Sequence, residues 1–293
     1  MTERRLAHIL EAAAATAAGA LFRALPLDAA SRLGGAIARR LGPHLKVSER
    51  AEKNLRRAFP TWDDRQIAQA IHDMWDNLGR TAAEYPNLQR FDCYAKDGRI
   101  VVDGVEHIDR LRDDGRAGIF FSGHLANWEI MPLAVAQRGV SISLVYRAAN
   151  NPMVDAMILR ARGAITETHI PKGASGARQM IEIIQRGGHL GMLVDQKHSG
   201  GIAVPFFGHD AMTAPAVAQL ALKYDLPLVP CRVVRETGAR FRVTIAPPLT
   251  LPRSGDRHAD VRALLRTINH HLEEAIRLRP AHWMWLHRRW PDS

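Results

Sequence analysis

The spacing of apolar residues changes character near Ile100. Before that point, apolar positions recur with helical period over Leu6 to Phe22, Ala29 to Leu41 and Ser48 to Phe59, the last closed by Pro60, which has no amide hydrogen to continue a helix. Thr61 with Asp64 fits a capping box that opens a fourth helix, running to about Glu84. After that point, short apolar runs alternate with helical stretches. Strands are predicted at Ile100–Val102, Gly118–Phe121, Ser141–Tyr146, Ile165–His169, Leu190–Val194, Leu228–Arg235 and Phe241–Ile245, and a late amphipathic helix over Asp260–Leu278. This alternation predicts an α/β fold, a mixed and largely parallel sheet flanked by helices, with a helical N-terminal extension. Residues 1–25 are expected to form an amphipathic membrane-associating helix and residues 26–293 one main domain, because no linker-like tract divides the chain.

Polar residues follow several predicted strands: His124 after the second, Arg147 after the third, Asp195 and Gln196 after the fifth. In open α/β sheets these strand ends are where ligands bind. His124 and Glu129 stand out among them. His-x4-Asp/Glu spacing occurs three times, but His44 with Glu49 lies in a charge-rich stretch and His287 with Asp292 in the C-terminal tail. Only His124 follows a strand-like run. Residues five apart on a helix point roughly 140° apart, so His124 must precede the helix if the two side chains are to meet. Asn127 is a plausible N-cap, placing Glu129 in the first turn of a helix to about Arg138. A carboxylate there can hold one imidazole nitrogen and leave the other free to take a proton. The local pattern fits a structural His–Glu pair equally well.

Net charge is +10, from 40 Lys and Arg against 30 Asp and Glu. Such a surface suits an acidic partner, and nucleic acid is disfavoured because no zinc-finger spacing, aromatic RNA-binding motif or long basic block is present. Cys93 and Cys231 are the two cysteines, which excludes a disulfide framework and a C-x-x-C metal pair. Leu6 to Phe22 carries His8 and Glu11, and its uncharged part is too short to span a bilayer. It reads as an interfacial helix flanked by Arg4, Arg5 and Arg23, with ordinary packing on the domain as the alternative, and no cleavable signal peptide is expected. The segment from Asp195 to Gly208 is expected to be a loop. Its Val204, Phe206 and Phe207 suit an acyl-chain groove or lipid contact, or else plug the core. The cluster Trp283, Trp285 and Trp290 with Arg288 and Arg289 suits a membrane interface or a tail pinned to the core.

Five blocks together resemble the bacterial lipid A secondary acyltransferases, the lauroyl/myristoyl transferase family. They are Gly123-His124-Leu125-Ala126-Asn127-Trp128-Glu129, Tyr146-Arg147 with Asn151-Pro152 and Arg162-Gly163, Asp195-Gln196, Val204-Pro205-Phe206-Phe207-Gly208, and His282 through Trp290. They occur in the family's order over roughly Leu25 to Trp290. Gly123 departs from the Asn that many members carry before the histidine.

The resemblance implies a glycerolipid acyltransferase-like αβα fold at the cytoplasmic face of the inner membrane. It also implies transfer of a fatty acyl group from acyl carrier protein, as donor, to a hydroxyl of a lipid A precursor. His124 and Glu129 fall on the family's catalytic dyad, with His124 as general base and Glu129 orienting its ring. Arg162 and Asp195 fall on further active-site positions, with Arg147 and Gln196 as substrate-binding or supporting residues. Arg162 is expected either to meet an acceptor phosphate or the oxyanion, or to form a salt bridge to Asp195. No cofactor or resident metal is expected, and the partners implied are acyl carrier protein, a phosphorylated glycolipid and an anionic membrane surface. The competing readings are a related glycerophospholipid or glycolipid O-acyltransferase, a metal-dependent hydrolase using His124, Glu129, Asp195 and His198, and a non-catalytic membrane-binding module.

Overall fold

A computed structural model describes residues 3–291, apart from the side chains of Glu3 and Arg4; Asp292 of the His287–Asp292 spacing lies outside them. Four helices come first: α1 (Glu3–Ala24), α2 (Leu27–Leu41), α3 (Ser48–Ala58) and α4 (Asp64–Glu84). There follow β1 (Ile100–Asp103), α5 (Val105–Asp113), β2 (Ile119–Ser122), α6 (Ile130–Gln137), β3 (Ile142–Tyr146), α7 (Pro152–Arg162), β4 (His169–Pro171), α8 (Ala174–Gln185) and β5 (His189–Leu193). A hairpin of β6 (Lys197–Phe206) and β7 (His209–Thr213) precedes α9 (Ala216–Tyr224), β8 (Leu228–Thr237), β9 (Arg240–Ile245) and α10 (Arg257–Leu278).

Seven strands form one sheet in the order β1-β9-β8-β2-β5-β3-β4, parallel except where β8 meets β9. Alternation of side chains across a strand divides the core in two. Ile119 and Phe121 of β2 enter one apolar cluster, with Leu190 and Met192 of β5 and residues of α3, α4, α8, α9 and α10. Phe120 enters the other, with α5, α6 and inward residues of β8 and β9. Burial on both faces explains why β2 reads as a continuous apolar run.

Three local expectations shift. The capping box on α4 is Asp63 with Gln66, because the Asp63 carboxylate accepts from the Gln66 amide at 2.8 Å and the Gln66 side chain returns to Asp63 N at 3.0 Å. The fourth strand lies at His169–Pro171, where it can pair with Leu144–Tyr146, and not at Ile165–His169. The expected loop after Gln196 is the β6–β7 hairpin. Its alternate residues Val204 and Phe206 are fully buried and Phe207 nearly so, which removes them from any exposed groove or lipid contact. No described helix is long and apolar enough to cross a membrane.

Candidate active site

Parallel pairing of β2 with β5 matches Ser122 with Leu193, and the Val194 amide donates to Ser122 O at 3.0 Å. The two strands therefore end together, one continuing into Gly123-His124 and the other into Asp195-Gln196. The space between them is tight, since a Cβ on Gly123 would stand 3.3 Å from Asp195 and 3.2 Å from Leu272. His124 Nδ1 lies 2.8 Å from Asp195 Oδ1, and the His124 backbone N–H donates to Asp195 Oδ2 at 2.9 Å. The Trp283 indole donates to that same oxygen at 2.7 Å.

Asp195 has no solvent exposure. Burial alone would raise its pKa, but the opposing pull of His124, through its ring and its backbone amide, with His287 adding to it, holds the carboxyl well below the usual carboxylate range. An ionised carboxylate only accepts, so a proton is assigned to His124 Nδ1, and in the neutral ring Nε2 then carries the lone pair. That lone pair faces Gln196 Nε2 at 3.4 Å, and the same amide nitrogen lies 3.0 Å from His287 Nε2. Burial and the neighbouring His124 push His287 down to about 4, so it stays neutral and accepts. One amide group with two hydrogens thus satisfies two imidazole acceptors.

The imidazole's carboxylate partner is Asp195, which corrects the expectation that Glu129 orients the ring. Glu129 is itself buried, but Arg162 donates to it through Nε at 3.1 and 3.0 Å and Nη2 at 2.6 Å, and the Tyr85 hydroxyl donates at 2.5 Å. Burial would lower the Arg162 pKa, yet Glu129 raises it above its usual value. Arg162 engaged in this way forms no bridge to Asp195, the second correction. Linear spacing could suggest a His–Glu contact; it could not show that a neighbouring strand delivers a second carboxylate to the same ring.

The turn between His124 and α6 is held by strained backbone and buried polar groups. Ala126 has φ 49°, a left-handed conformation that costs a non-glycine residue about 1–3 kcal/mol. Its amide donates to His282 O at 2.9 Å, and its carbonyl accepts from Thr81 Oγ1 at 3.0 Å and Asn77 Nδ2 at 3.3 Å. Asn127 Nδ2 donates to Glu84 at 2.9 Å, and Glu84 is paired inside the protein with Arg235 and Ser31. Asn127 Oδ1 accepts from the Glu129 amide at 3.2 Å in the turn that precedes α6, but α6 begins at Ile130 with Glu129 itself at the N-cap position, so Asn127 is not the expected N-cap and Glu129 stands just before the first turn.

The C-terminal tail completes the site. Met284 N donates to His124 O at 3.3 Å, while Asn54 of α3 donates to Trp285 O at 2.7 Å and His287 O at 2.8 Å. Trp283, Trp285 and Trp290 are buried, with Trp283 and Trp290 each 5.7 Å from the Phe206 ring. They pin the tail to the core and so present no face to a membrane, and Arg289 does the same, fully buried against Phe206 and bonded to Met212, Thr213 and Asn269.

Arg147 is exposed after β3. Lys172, which carried no sequence motif, lies near it: its ammonium is pushed down by desolvation and by Arg147, with Asp195 opposing. Tyr85, Trp283 and His287 were likewise missed as site residues, although the tail's histidine and tryptophan pattern was a signal for the last two. His198 is exposed on β6 and does not join His124, Glu129 and Asp195. Among the described residues no three His, Cys, Asp or Glu side chains come together as a metal site.

A family model for the bacterial lipid A biosynthesis acyltransferases matches residues 2–292. A lipid A biosynthesis acyltransferase of Haemophilus influenzae is 23% identical, the match covering 82% of this chain and 74% of that protein. A lipid A biosynthesis lauroyltransferase of Escherichia coli is 22% identical over 81% of this chain and 76% of that protein, and a lipid A biosynthesis acyltransferase 2 of Shigella flexneri is 20% identical over 82% and 76%. With a polarised histidine at the mouth of a largely parallel sheet and the family pattern extending over nearly its whole length, the chain belongs to the bacterial lipid A biosynthesis acyltransferase family.

Proposed function

We propose that the protein transfers a fatty acyl group from acyl carrier protein to a hydroxyl of a phosphorylated lipid A precursor, with His124 as general base and Asp195 as the carboxylate that orients it. The observation that carries this reading is the His124–Asp195 contact, which engages Nδ1 and leaves Nε2, turned toward the Gln196 amide at 3.4 Å, as the nitrogen that can take a proton. The acceptor hydroxyl takes the place of the Gln196 amide at Nε2 and gives up its proton as its oxygen attacks the thioester carbonyl carbon. Asp195 stabilises the imidazolium formed. The carbon–sulfur bond then breaks, and the imidazolium returns the proton to the departing thiolate. No covalent acyl-enzyme enters the scheme, since Cys93 and Cys231 are buried, and burial raises both thiols, Cys93 to about 12.

Glu129 and Arg162 themselves line, with Trp128, Met131, Pro132, Leu144, Val145 and Met192, a crevice of about 30 Å³, room for about one water molecule. The cationic side chains of Arg147 and Lys172 suit phosphate or the acidic carrier protein, a pairing that would weaken as salt rises. Attachment at the cytoplasmic face of the inner membrane, with α1 lying in the interface, fits a helix in which Ala12 is the one buried described residue. The test compares labelled acyl transfer to the phosphorylated glycolipid, its dephosphorylated form and glycerol 3-phosphate. Preference for the first is expected. Preference for glycerol 3-phosphate assigns a glycerophospholipid acyltransferase, and free fatty acid as sole product assigns a hydrolase.

A further inference from the structure

Helix α2 is docked to α4 through glycine. A Cβ on Gly34 would stand 2.4 Å from Gly79 O, and one on Gly79 would stand 2.2 Å from Gly34 O, so the two backbones touch. Leu27, Ala30, Ser31 and Gly35 are buried with Gly34 on this inner side. The contact fixes which residues face outward. Leu33, Ile37 and Leu41, spaced i, i+4 and i+8, form a row along one flank and are 38%, 47% and 59% exposed, with Leu45 just beyond at 51%. Large apolar side chains held this way on a rigidly docked helix indicate an interaction surface.

Charge identifies what the surface meets. Arg40 is exposed along the row and Arg32 is exposed on the adjoining side of the helix, roughly 100° around from Leu33, and neither has an ion-pair partner among the described residues. Asp28, the helix's one acidic residue, is engaged by Arg99 at 2.8 Å, and Arg39 by Asp73 at 3.3 Å. Lys46 adds an exposed cation beyond Leu45. An apolar row rimmed by unpaired cations complements the headgroup and acyl boundary of an anionic bilayer.

We propose that the outer flank of α2, continued through Leu45, is a lipid-docking surface in its own right, binding an anionic bilayer independently of α1. It adds to the membrane attachment proposed above and does not depend on which acyl group is moved. The same α4 that holds α2 through Gly79 holds the carbonyl of Ala126 through Asn77 and Thr81. A bilayer bound at α2 is thereby tied, through one rigid helix, to the turn that carries His124.

The test uses the full chain and sedimentation with phosphatidylcholine vesicles prepared with and without phosphatidylglycerol. Replacing Leu33, Ile37 and Leu41 together with Gln is expected to lower binding to the anionic vesicles at least about tenfold, as loss of buried apolar area predicts. Replacing Arg32 and Arg40 with Gln is expected to remove part of the salt-sensitive component. Both variants should keep the wild-type Tm and acyl transfer to a detergent-dispersed acceptor, which separates failure here from failure of the functional assignment. Val101→Gln with Leu278→Gln, exposed apolar residues on other elements, should bind like wild type. Unchanged binding by the leucine–isoleucine variant overturns the proposal. So does a wild-type protein that self-associates through this row, shown by light scattering that reports a monomer only in that variant.

Discussion

Asp195 and Glu129 are both buried carboxylates at the same end of the sheet, and they keep different company. Asp195 receives a backbone amide, an indole and an imidazole, none of which carries a permanent charge. Glu129 receives a guanidinium through two nitrogens and a phenol. A negative charge met by neutral donors can still respond when a proton arrives on the imidazole. One already matched by a guanidinium has its charge spent, and separating that pair would leave a buried cation alone. The site thus contains one carboxylate bonded to the imidazole and one bonded to a guanidinium.

This contrast orders the expected effects of substitution. His124→Ala and Asp195→Asn should each lower kcat by about 10²–10⁴-fold, the range for loss of a general base or its orienting group, measured as single-turnover acyl transfer. Glu129→Gln should show its main effect in stability. Removing one member of a buried pair typically costs about 3–5 kcal/mol, so a lowered Tm is expected with a smaller fall in kcat than Asp195→Asn gives. An Asp195→Asn protein as active as wild type, beside an inactive but stable Glu129→Gln protein, would reverse the roles.

A third effect follows from the tail. Burial pushes His287 and His282 down to about 4, each below the ordinary histidine value, so both are neutral in the fold. The unfolded chain binds their protons first. Stability is therefore fully present above about pH 6.5 and falls as pH drops toward 4. Tm and tryptophan fluorescence followed over that window should fall together, because Trp283 and Trp285 lie beside the two histidines. A flat profile would remove the histidines from the tail's anchoring. The smallest effect is expected for Gln196→Ala, which uncovers Nε2 without touching Asp195. A change in kcat/KM below about tenfold, smaller than loss of a general base, is anticipated. A loss as large as that of His124→Ala would make the amide part of the proton transfer itself.

The pattern of strands was legible because strands buried on both faces are short, apolar and bounded by turns, as Ile119 to Ser122 illustrates. The β6–β7 hairpin was not, since β6 begins with Lys197, His198, Ser199 and two glycines, and its apolar half is short enough to pass for a loop. His124 could be singled out from its place after β2. Its true partner could not, because the proximity of Asp195 comes from the register of β2 on β5 across 71 residues of chain, which no local spacing encodes. Asp195 and Gln196 were gathered toward the site by their place after a predicted strand and Arg162 by resemblance, but their pairing is a property of packing. The tail's tryptophans were visible as a cluster, and only their burial decides between core and membrane.

The assignment of Asp195 as the carboxylate that polarises His124 is tested most directly by the imidazole proton itself. Nitrogen-15-labelled protein should show a downfield Nδ1–H resonance for His124, identified by its disappearance in His124→Gln. The account predicts that this resonance persists in folded Glu129→Gln and is lost or shifted far upfield in Asp195→Asn. A resonance that survives in Asp195→Asn and vanishes in Glu129→Gln would contradict it and place the ring against Glu129.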